Sequence, residues 1–534
     1  MPAGAVDYLT LAASTVSGAE ESALFDTALD PALLNDGVNL LAVEIHQRSG
    51  TSSDISFDLE LIVSDAPILT RGPYLQTGTP TSVTINWKTD IAADGRVWYG
   101  TDPNALTSFV DDPAVLKRHT VTLSGLTPDT TYYYAVGTST VQIAGGDAQH
   151  YFHTAPNPGV AKPTRIWIIG DSGTADTNAA AVRDAYLNYA GARPADLWLM
   201  LGDNAYNSGT QNEYQAAVFD MYPTILRNTV VWPTFGNHDA LSASSGSQSG
   251  PYYNIFVLPT AGEAGGLASG TEAYYSFDYG DIHFICLDSQ DSARTVGGAM
   301  LTWLEADLAA TTATWIIAYF HHPPYTKGSH DSDNASDSGG RMRDMRQNAL
   351  PILEAGGVDL VLTGHSHSYE RSFLLDGHYG LSSTLTSANL IDAGDGRLDG
   401  DGAYRKPAAV TGPHEGAVYA VVGSSGKISG GPLNHPAMFI SLNQLGSLVL
   451  DIDGERLDAA FVRSNGVVRD HFTILKGSAA LTGDLNGDCI VDLTDLAILL
   501  SAFETSASGD VDFDGDTDLT DLALLLGAFD NQCP

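Results

Sequence analysis

The sequence predicts a multidomain chain: an all-β sandwich, then a layered α/β domain, then a small α module built on acidic calcium-type loops. Three observations predict it. Short strands with period-two alternation and regular turns fill residues 67–155, the pattern of a sandwich. From Arg165 onward, solid apolar strands alternate with helical stretches, the pattern of a buried sheet flanked by helices. The C-terminal stretch repeats one acidic loop and one apolar helix at an interval of 26 residues.

Composition narrows the function before any motif does. A chain of 534 residues, 43% of them hydrophobic, can bury several separate cores. It carries 25 Lys+Arg against 64 Asp+Glu, a formal charge of −39. That argues against general binding to nucleic-acid backbone and to anionic membrane surfaces, both of which are held by basic faces. An anionic substrate is still admissible where a local cation attracts it, so a phosphate-handling site here needs metal. No apolar run is long enough for a spanning helix. Cys286 sits inside an apolar strand and reads as a buried, inert thiol. Cys489 and Cys533 leave open a pairing that would close the last module and fit an oxidising compartment.

Residues 1–66 offer two strands, at 38–46 and 55–63, joined by a Gly/Ser/Thr turn. So few strands make only a partial β-sandwich. They resemble the last strands of galactose-binding-like modules. No basic n-region and apolar h-region precede them, so the expectation is a truncated N-terminus and a signal peptide lost with it. Residues 67–155 hold strands at 82–87, 95–99, 119–123 and 131–136. Their run Leu126-Thr127-Pro128-Asp129-Thr130-Thr131-Tyr132-Tyr133 resembles a fibronectin type III-like domain with a packing role. A Pro/Gly linker follows. The α/β domain spans 164–476, with strands at 166–169, 197–201, 229–232, 282–287, 315–320 and 358–363 and helices at 175–190, 211–226, 298–310 and 342–355. Alternating strands near 417–422, 447–452 and 457–462 predict a second sheet.

Polar clusters stand where the apolar strands end, which is where α/β sheets place ligands. They are Gly170-Asp171-Ser172-Gly173, Gly202-Asp203-Asn204-Ala205-Tyr206, Gly236-Asn237-His238-Asp239, His321-His322 and Gly364-His365-Ser366-His367. Together they supply carboxylates, an amide oxygen, imidazoles and a phenol. That mixture suits two neighbouring cations bridged by a carboxylate. The ordered set GDSG, GDNAY, GNHD, AYFHH and GHSH resembles the five-block signature of calcineurin-like metallophosphoesterases. Tyr206 and the continuation GHSHSYER point to the purple acid phosphatase branch, a resemblance covering roughly residues 67–475.

The resemblance implies an α/β/β/α layered domain. It implies that Asp171, Asp203, Tyr206 and His367 hold a first metal, Fe(III), and that Asn237, His321, His365 and the bridging Asp203 hold a second, Fe(II), Zn or Mn. His238 would contact substrate phosphate, and His322, or more distantly His330, would protonate the leaving group. The implied reaction is hydrolysis of phosphate monoesters by a metal-activated water. Phosphodiesterase or nucleotidase activity at the same site is the alternative, and a non-catalytic modular adhesion protein is the second. The loop 326–334 is long enough to overhang the site, while Arg341, Arg343 and Arg346 read as a solvated helix face.

The last module, 482–534, follows its own logic. Residues 477–534 contain 12 Asp+Glu and no Lys or Arg. Asp484, Asn486, Asp488, Asp492 and Asp495 occupy loop positions 1, 3, 5, 9 and 12; Asp510, Asp512, Asp514, Asp518 and Asp521 repeat them. A helix follows each loop. This duplicated unit resembles a dockerin type I module, which implies two Ca2+ ions, a cohesin-type protein partner and an extracellular or cell-surface location.

Overall fold

Alternation along the strands decides how the layers form, because successive side chains face opposite ways. The computed structural model describes residues 67–477, 482–485, 490–512 and 516–531. The expected partial sandwich at 1–66 lies outside them, as do Asn486, Asp488, Cys489, Asp514 and Cys533.

The first domain is β-sandwich-like. Its strands are β1 Leu69–Gln76, β2 Ser82–Gly100, β3 Ser108–Ser124, β4 Thr131–Gly137, β5 Gln142–Gly145 and β6 Tyr151–His153. Ile85, Trp87, Val97, Leu123, Tyr134 and Phe152 bury their side chains between them. The strands expected at 82–87 and 95–99 are one strand. Its register against β3 slips between Lys88 and Gly95. The Asp90–Gly95 stretch, bounded by Asp90 and by Asp94-Gly95, separates the two expected strands in sequence but is absorbed as a bulge. The front half of β2 therefore pairs with β1 and the back half with β4. β3 is also longer than expected, because its exposed middle has no apolar alternation to betray it.

The second domain holds two seven-stranded sheets. The strands are β7 Thr164–Ile169, β8 Leu197–Met200, β9 Val230–Pro233, β10 Tyr275–Tyr279, β11 Ile282–Cys286, β12 Trp315–Phe320, β13 Leu360–Thr363, β14 Tyr369–Ser372, β15 Leu374–Leu375, β16 Leu390–Asp392, β17 Tyr404–Lys406, β18 Val418–Val422, β19 Met438–Leu442, β20 Gly446–Asp453, β21 Arg456–Arg463 and β22 Val468–Lys476. One sheet runs β17-β22-β21-β20-β7-β8-β9, with β7, β8 and β9 parallel. The other runs β10-β11-β12-β13-β18-β14-β19, with β11, β12, β13 and β18 parallel; β15 and β16 form a separate small pair.

The helices are α1 Thr177–Ala190, α2 Gln211–Tyr214, α3 Pro223–Leu226, α4 Pro251–Ile255, α5 Ala299–Ala310, α6 Arg341–Asp344 and α7 Leu350–Ala355. The helices expected at 211–226 and 342–355 each carry a π-type turn, at Gln215–Phe219 and Met345–Ala349. Phe284, Cys286, Ile317, Tyr319, Leu360 and Leu362 face the first sheet's Ile166, Ile168, Leu448 and Phe461 in one core. Their alternates Ile285, Leu287, Ile316, Ala318 and Val361 face α5 and α7 in a second core. With α1 packed on β20 and β21, this is the α/β/β/α order the resemblance implied. Burial pushes the Cys286 thiol up to about 12, consistent with an inert packing role.

The tail contributes α8 Leu493–Ala502 and α9 Leu519–Gly527, capped by Asp492 and Asp518. Val491, Leu499, Val511, Leu525 and Ala528 close a small core between them. Among the described residues no helix is long and apolar enough to cross a membrane.

Candidate metal centre

Five strand ends build the site. β7, β8 and β9 of one sheet deliver Asp171, Asp203 and Asn237; β12 and β13 of the other deliver His321 and the His365/His367 turn. The two sheets thus meet over one cluster at the C-terminal ends of their parallel strands. Three of the carriers, Asp171, Asp203 and His365, sit in the left-handed region at φ 54°, 53° and 66°. Non-glycine residues held there cost on the order of 1–3 kcal/mol each and persist where the surroundings over-determine them.

Two donor sets emerge. In the first, Tyr206 Oη lies 3.0 Å from Asp171 Oδ1, 3.1 Å from Asp203 Oδ2 and 3.4 Å from His367 Nε2. His367 Nε2 is 3.5 Å from Asp171 Oδ1. In the second, His321 Nε2 lies 3.0 Å from Asn237 Oδ1, 3.4 Å from Asp203 Oδ1 and 3.2 Å from His365 Nδ1. Asp203 reaches both sets, one carboxylate oxygen to each. His365 and His367 are not extended as neighbours on a strand would be. The left-handed turn at His365 separates them, so each imidazole serves a different set.

The donor chemistry fits two cations. His321 Nε2 and His365 Nδ1 face each other, and only one proton can occupy that gap; a cation satisfies both lone pairs. Burial, then the Asp171 and Asp203 carboxylates, drive the Tyr206 phenol well above its ordinary range. A cation between them would reverse that repulsion. Burial drives the His365 imidazole well down, aided by His322 and His321. For His321 the same burial is outweighed by Asp203 and Asp171, which raise it. For Asp171, burial is outweighed by His367 and His321, which hold it down.

Supporting residues orient these donors, and sequence reasoning singled out none of them. Ser429 Oγ is 2.7 Å from His367 Nδ1, and Ser338 Oγ is 2.6 Å from His365 Nε2. His321 Nδ1 donates to the Leu201 carbonyl at 2.8 Å. Such partners fix ring tautomers and orientation. Asp239 ties the second and third loops together. It accepts from the Gly236 and Asn204 amides and, at 2.5 Å, from the Tyr214 hydroxyl. Burial and Asp203 push Asp239 up to about 6. Its place inside the GNHD block was the one available signal.

The three outer histidines take different positions. His238 turns its edge to the Tyr206 ring at 4.5 Å, and its Nδ1 donates to the Asn207 carbonyl. His322 is 1% exposed, pairs its Nδ1 with Ser289 Oγ at 2.9 Å, and closes a trio of imidazoles with His321 and His365. His330 stacks on His365 at 3.9 Å, pairs with Asp337 and keeps 29% of its side chain exposed. The loop 326–334 does reach the site, where Ser329 Oγ accepts from the His367 amide. The expected solvated arginine face is not uniform: Arg346 is buried and spent on the carbonyls of Pro324 and Ser332.

Comparison with known proteins agrees with this geometry. Residues 164–369 match the calcineurin-like phosphoesterase family, and residues 72–154 match the purple acid phosphatase N-terminal domain. Fold and site define the chain as a calcineurin-like metallophosphoesterase, a hydrolase of phosphoric esters. Purple acid phosphatase 23 of Arabidopsis thaliana is 27% identical over 358 residues, covering 56% of this chain and 73% of that one. Human acid phosphatase type 7 is 29% identical over 324 residues, covering 55% and 68%. A purple acid phosphatase from yellow lupin seeds shares the fold at a TM-score of 0.57 and 19% identity, over 77% of this chain and 75% of that one. The phosphoesterase is of the purple acid phosphatase type, with that family's N-terminal domain ahead of the catalytic one.

Proposed function

We propose that the chain is a secreted phosphatase that hydrolyses phosphate monoesters at a binuclear metal centre. One observation carries the reading: Asp203 divides its two oxygens between two complete donor sets. Asp171, Asp203, Tyr206 and His367 would hold Fe(III); Asn237, His321, His365 and Asp203 would hold Fe(II), Zn or Mn. When bound, the two ions supply charge neutralisation for the phosphoryl group and an activated water for in-line attack. His238, beside Tyr206, binds a phosphoryl oxygen. His330 rather than His322 carries the proton to the leaving alkoxide. His322 is sealed from solvent and its Nδ1 is spent on Ser289, whereas a general acid must reload its proton between turnovers. The Asp337 carboxylate orients His330 from its Nδ1 side.

The test is metal analysis of the purified chain with a visible spectrum, alongside assays on mono- and diester substrates. Two metals, a charge-transfer band lost in Tyr206→Phe, and faster monoester hydrolysis support the reading. Two metals with no hydrolysis of any ester would overturn it.

The tail carries a separate proposal: two Ca2+ sites and docking to a cohesin-type protein outside the cell. In the second loop the carboxylates of Asp510, Asp512 and Asp521 converge within 4.8 Å. Asp484, Asp492, Asp495 and Asp518 hold the remaining described positions. Leu493 and Leu519, at equivalent positions of the two repeats, are each 71% exposed and offer a duplicated apolar face. Calcium titration of residues 482–534 should raise helicity; no response would remove this proposal.

A further inference from the structure

One cation at the site has no role in the reading above. Lys427 Nζ lies 4.3 Å from the centroid of the Tyr206 ring. It follows β18 on the loop Gly423–Gly430, whose Ser429 also holds His367. Two residues of one loop, i and i+2, thus reach the two aromatic members of the first donor set. Lys427 is half-buried, and among the described residues no carboxylate pairs with it. In a chain of net charge −39 that is an unusual state for an ammonium group. Lys327 on the overhanging loop, by contrast, is committed: it lies 3.1 Å from Asp333 and 3.6 Å from Asp331.

A phenol oxygen sits about 2.8 Å from its own ring centroid, so Lys427 Nζ is at most about 7 Å from Tyr206 Oη. It stands over the ring that His238 flanks. A lysine side chain with four rotatable carbons can cross that gap to a phosphoryl oxygen without moving the backbone. The cation–π contact holds it poised at modest cost, about 0.5–1 kcal/mol at a partly exposed face.

We propose that Lys427 binds a non-bridging phosphoryl oxygen of the substrate and favours dianionic monoesters over monoanionic diesters. This rests on the phosphatase reading of the same site. Its attraction scales with the charge on the ester, so the monoester gains roughly twice the interaction energy of the diester. The contact is the same in ground and transition states, so it acts on KM and leaves kcat alone.

The experiment compares wild type, Lys427→Gln and Lys427→Arg, metal-loaded, on p-nitrophenyl phosphate and bis(p-nitrophenyl) phosphate, with inorganic phosphate as inhibitor. Lys427→Gln should raise KM for the monoester and the phosphate inhibition constant about tenfold, and KM for the diester about threefold. Its kcat should hold, and the gaps should shrink at high salt. Lys427→Arg should stay within about twofold of wild type, since the charge remains. Wild-type hydrolysis with unchanged KM and phosphate inhibition in Lys427→Gln would overturn the role of Lys427 alone. A wild type that hydrolyses neither ester and is blind to phosphate overturns the phosphatase reading, and this inference with it.

Discussion

Asp203 is the residue on which the centre turns, because its two oxygens belong to different donor sets. Its loss should therefore differ in kind from the loss of a one-sided ligand. Asp203→Ala should lower metal content from two per chain to below one, whereas Asn237→Ala should deplete the second ion and spare the first. Mass spectrometry of native protein reads both. The proton donor is separable from the ligands in the same way. His330→Ala should lower kcat about 10²- to 10⁴-fold with metal content intact, while His322→Ala should act mainly on thermal stability. A loss of kcat in His322→Ala but not in His330→Ala, with both still folded, would return the role to His322. At this scale the candidate donors were legible, since Asp, Asn, His and Tyr after apolar strands form a recognisable pattern. Ser289, Ser338 and Ser429 were not. A serine carries no signal in sequence, and each meets its histidine only through tertiary pairing, at separations of 33, 27 and 62 residues. Ser429→Ala should weaken retention of the first ion about 10- to 100-fold in chelator competition.

The elements hold the centre through close approach of backbone at the strand ends. A Cβ at Gly236 would collide with the Asp203 amide nitrogen and Oδ1, and one at Gly364 would come 2.6 Å from Asp171 Oδ2. Gly236→Ala should fold yet lose bridging by Asp203, seen as loss of both metals with little change in circular dichroism. The central strands were legible because they are solid apolar runs. β14 was not: Tyr369-Glu370-Arg371-Ser372 is polar in sequence and reads only as the end of the GHSHSYER motif, yet it is a buried strand paired with β18 and β19. A single polar residue on an otherwise apolar strand is coupled to pH. His283 on β11 is buried between Asp278 on β10, at 2.6 Å, and Asp307 on α5, at 3.0 Å. Burial lowers its imidazole, but the two carboxylates outweigh that and raise it to about 9. The folded value exceeds the ordinary one of 6.5, so the protonated form stabilises the fold. That contribution, of the order of 3 kcal/mol, is full below about pH 6.5 and is lost as pH rises through about 9. Thermal melts from pH 6 to pH 10 should show the decline, and His283→Gln should flatten it.

At the scale of the whole molecule, the centre exists only because two sheets stay in register with each other. Each contributes part of both donor sets, so a small slide between them would open the gap that Asp203 spans. Apolar contact resists such slides weakly, because it is non-directional. Directional pins supply the rest. Asp359, just ahead of β13, meets Lys406 of β17 at 2.6 Å and Lys476 of β22 at 2.7 Å, all side chains fully buried. Arg371 of β14 meets Asp470 of β22 at 2.7 Å, and Tyr369 donates to the same carboxylate at 2.8 Å. Burial opposes the charge on Asp470, but Arg371 outweighs it and keeps the carboxylate low. Sequence showed the presence of two sheets but not how they are joined, since Arg371 and Asp470 stand 99 residues apart. The second pin lies four residues beyond His367, so strain there passes directly into the first donor set. Removing one partner leaves a buried charge uncompensated, which costs about 3–5 kcal/mol where a well-packed apolar pair would cost little. Asp470→Asn should therefore lower the melting temperature and also speed loss of the first ion to a chelator, although Asp470 touches no ligand. The double variant Arg371→Met/Asp470→Leu should recover most of the melting temperature, because the one charge it leaves unpaired, on Arg397, keeps 26% of its side chain in solvent. If the pins set register rather than merely stability, that double variant will still lose metal faster than wild type. Full recovery of both properties would mean that apolar packing alone aligns the sheets.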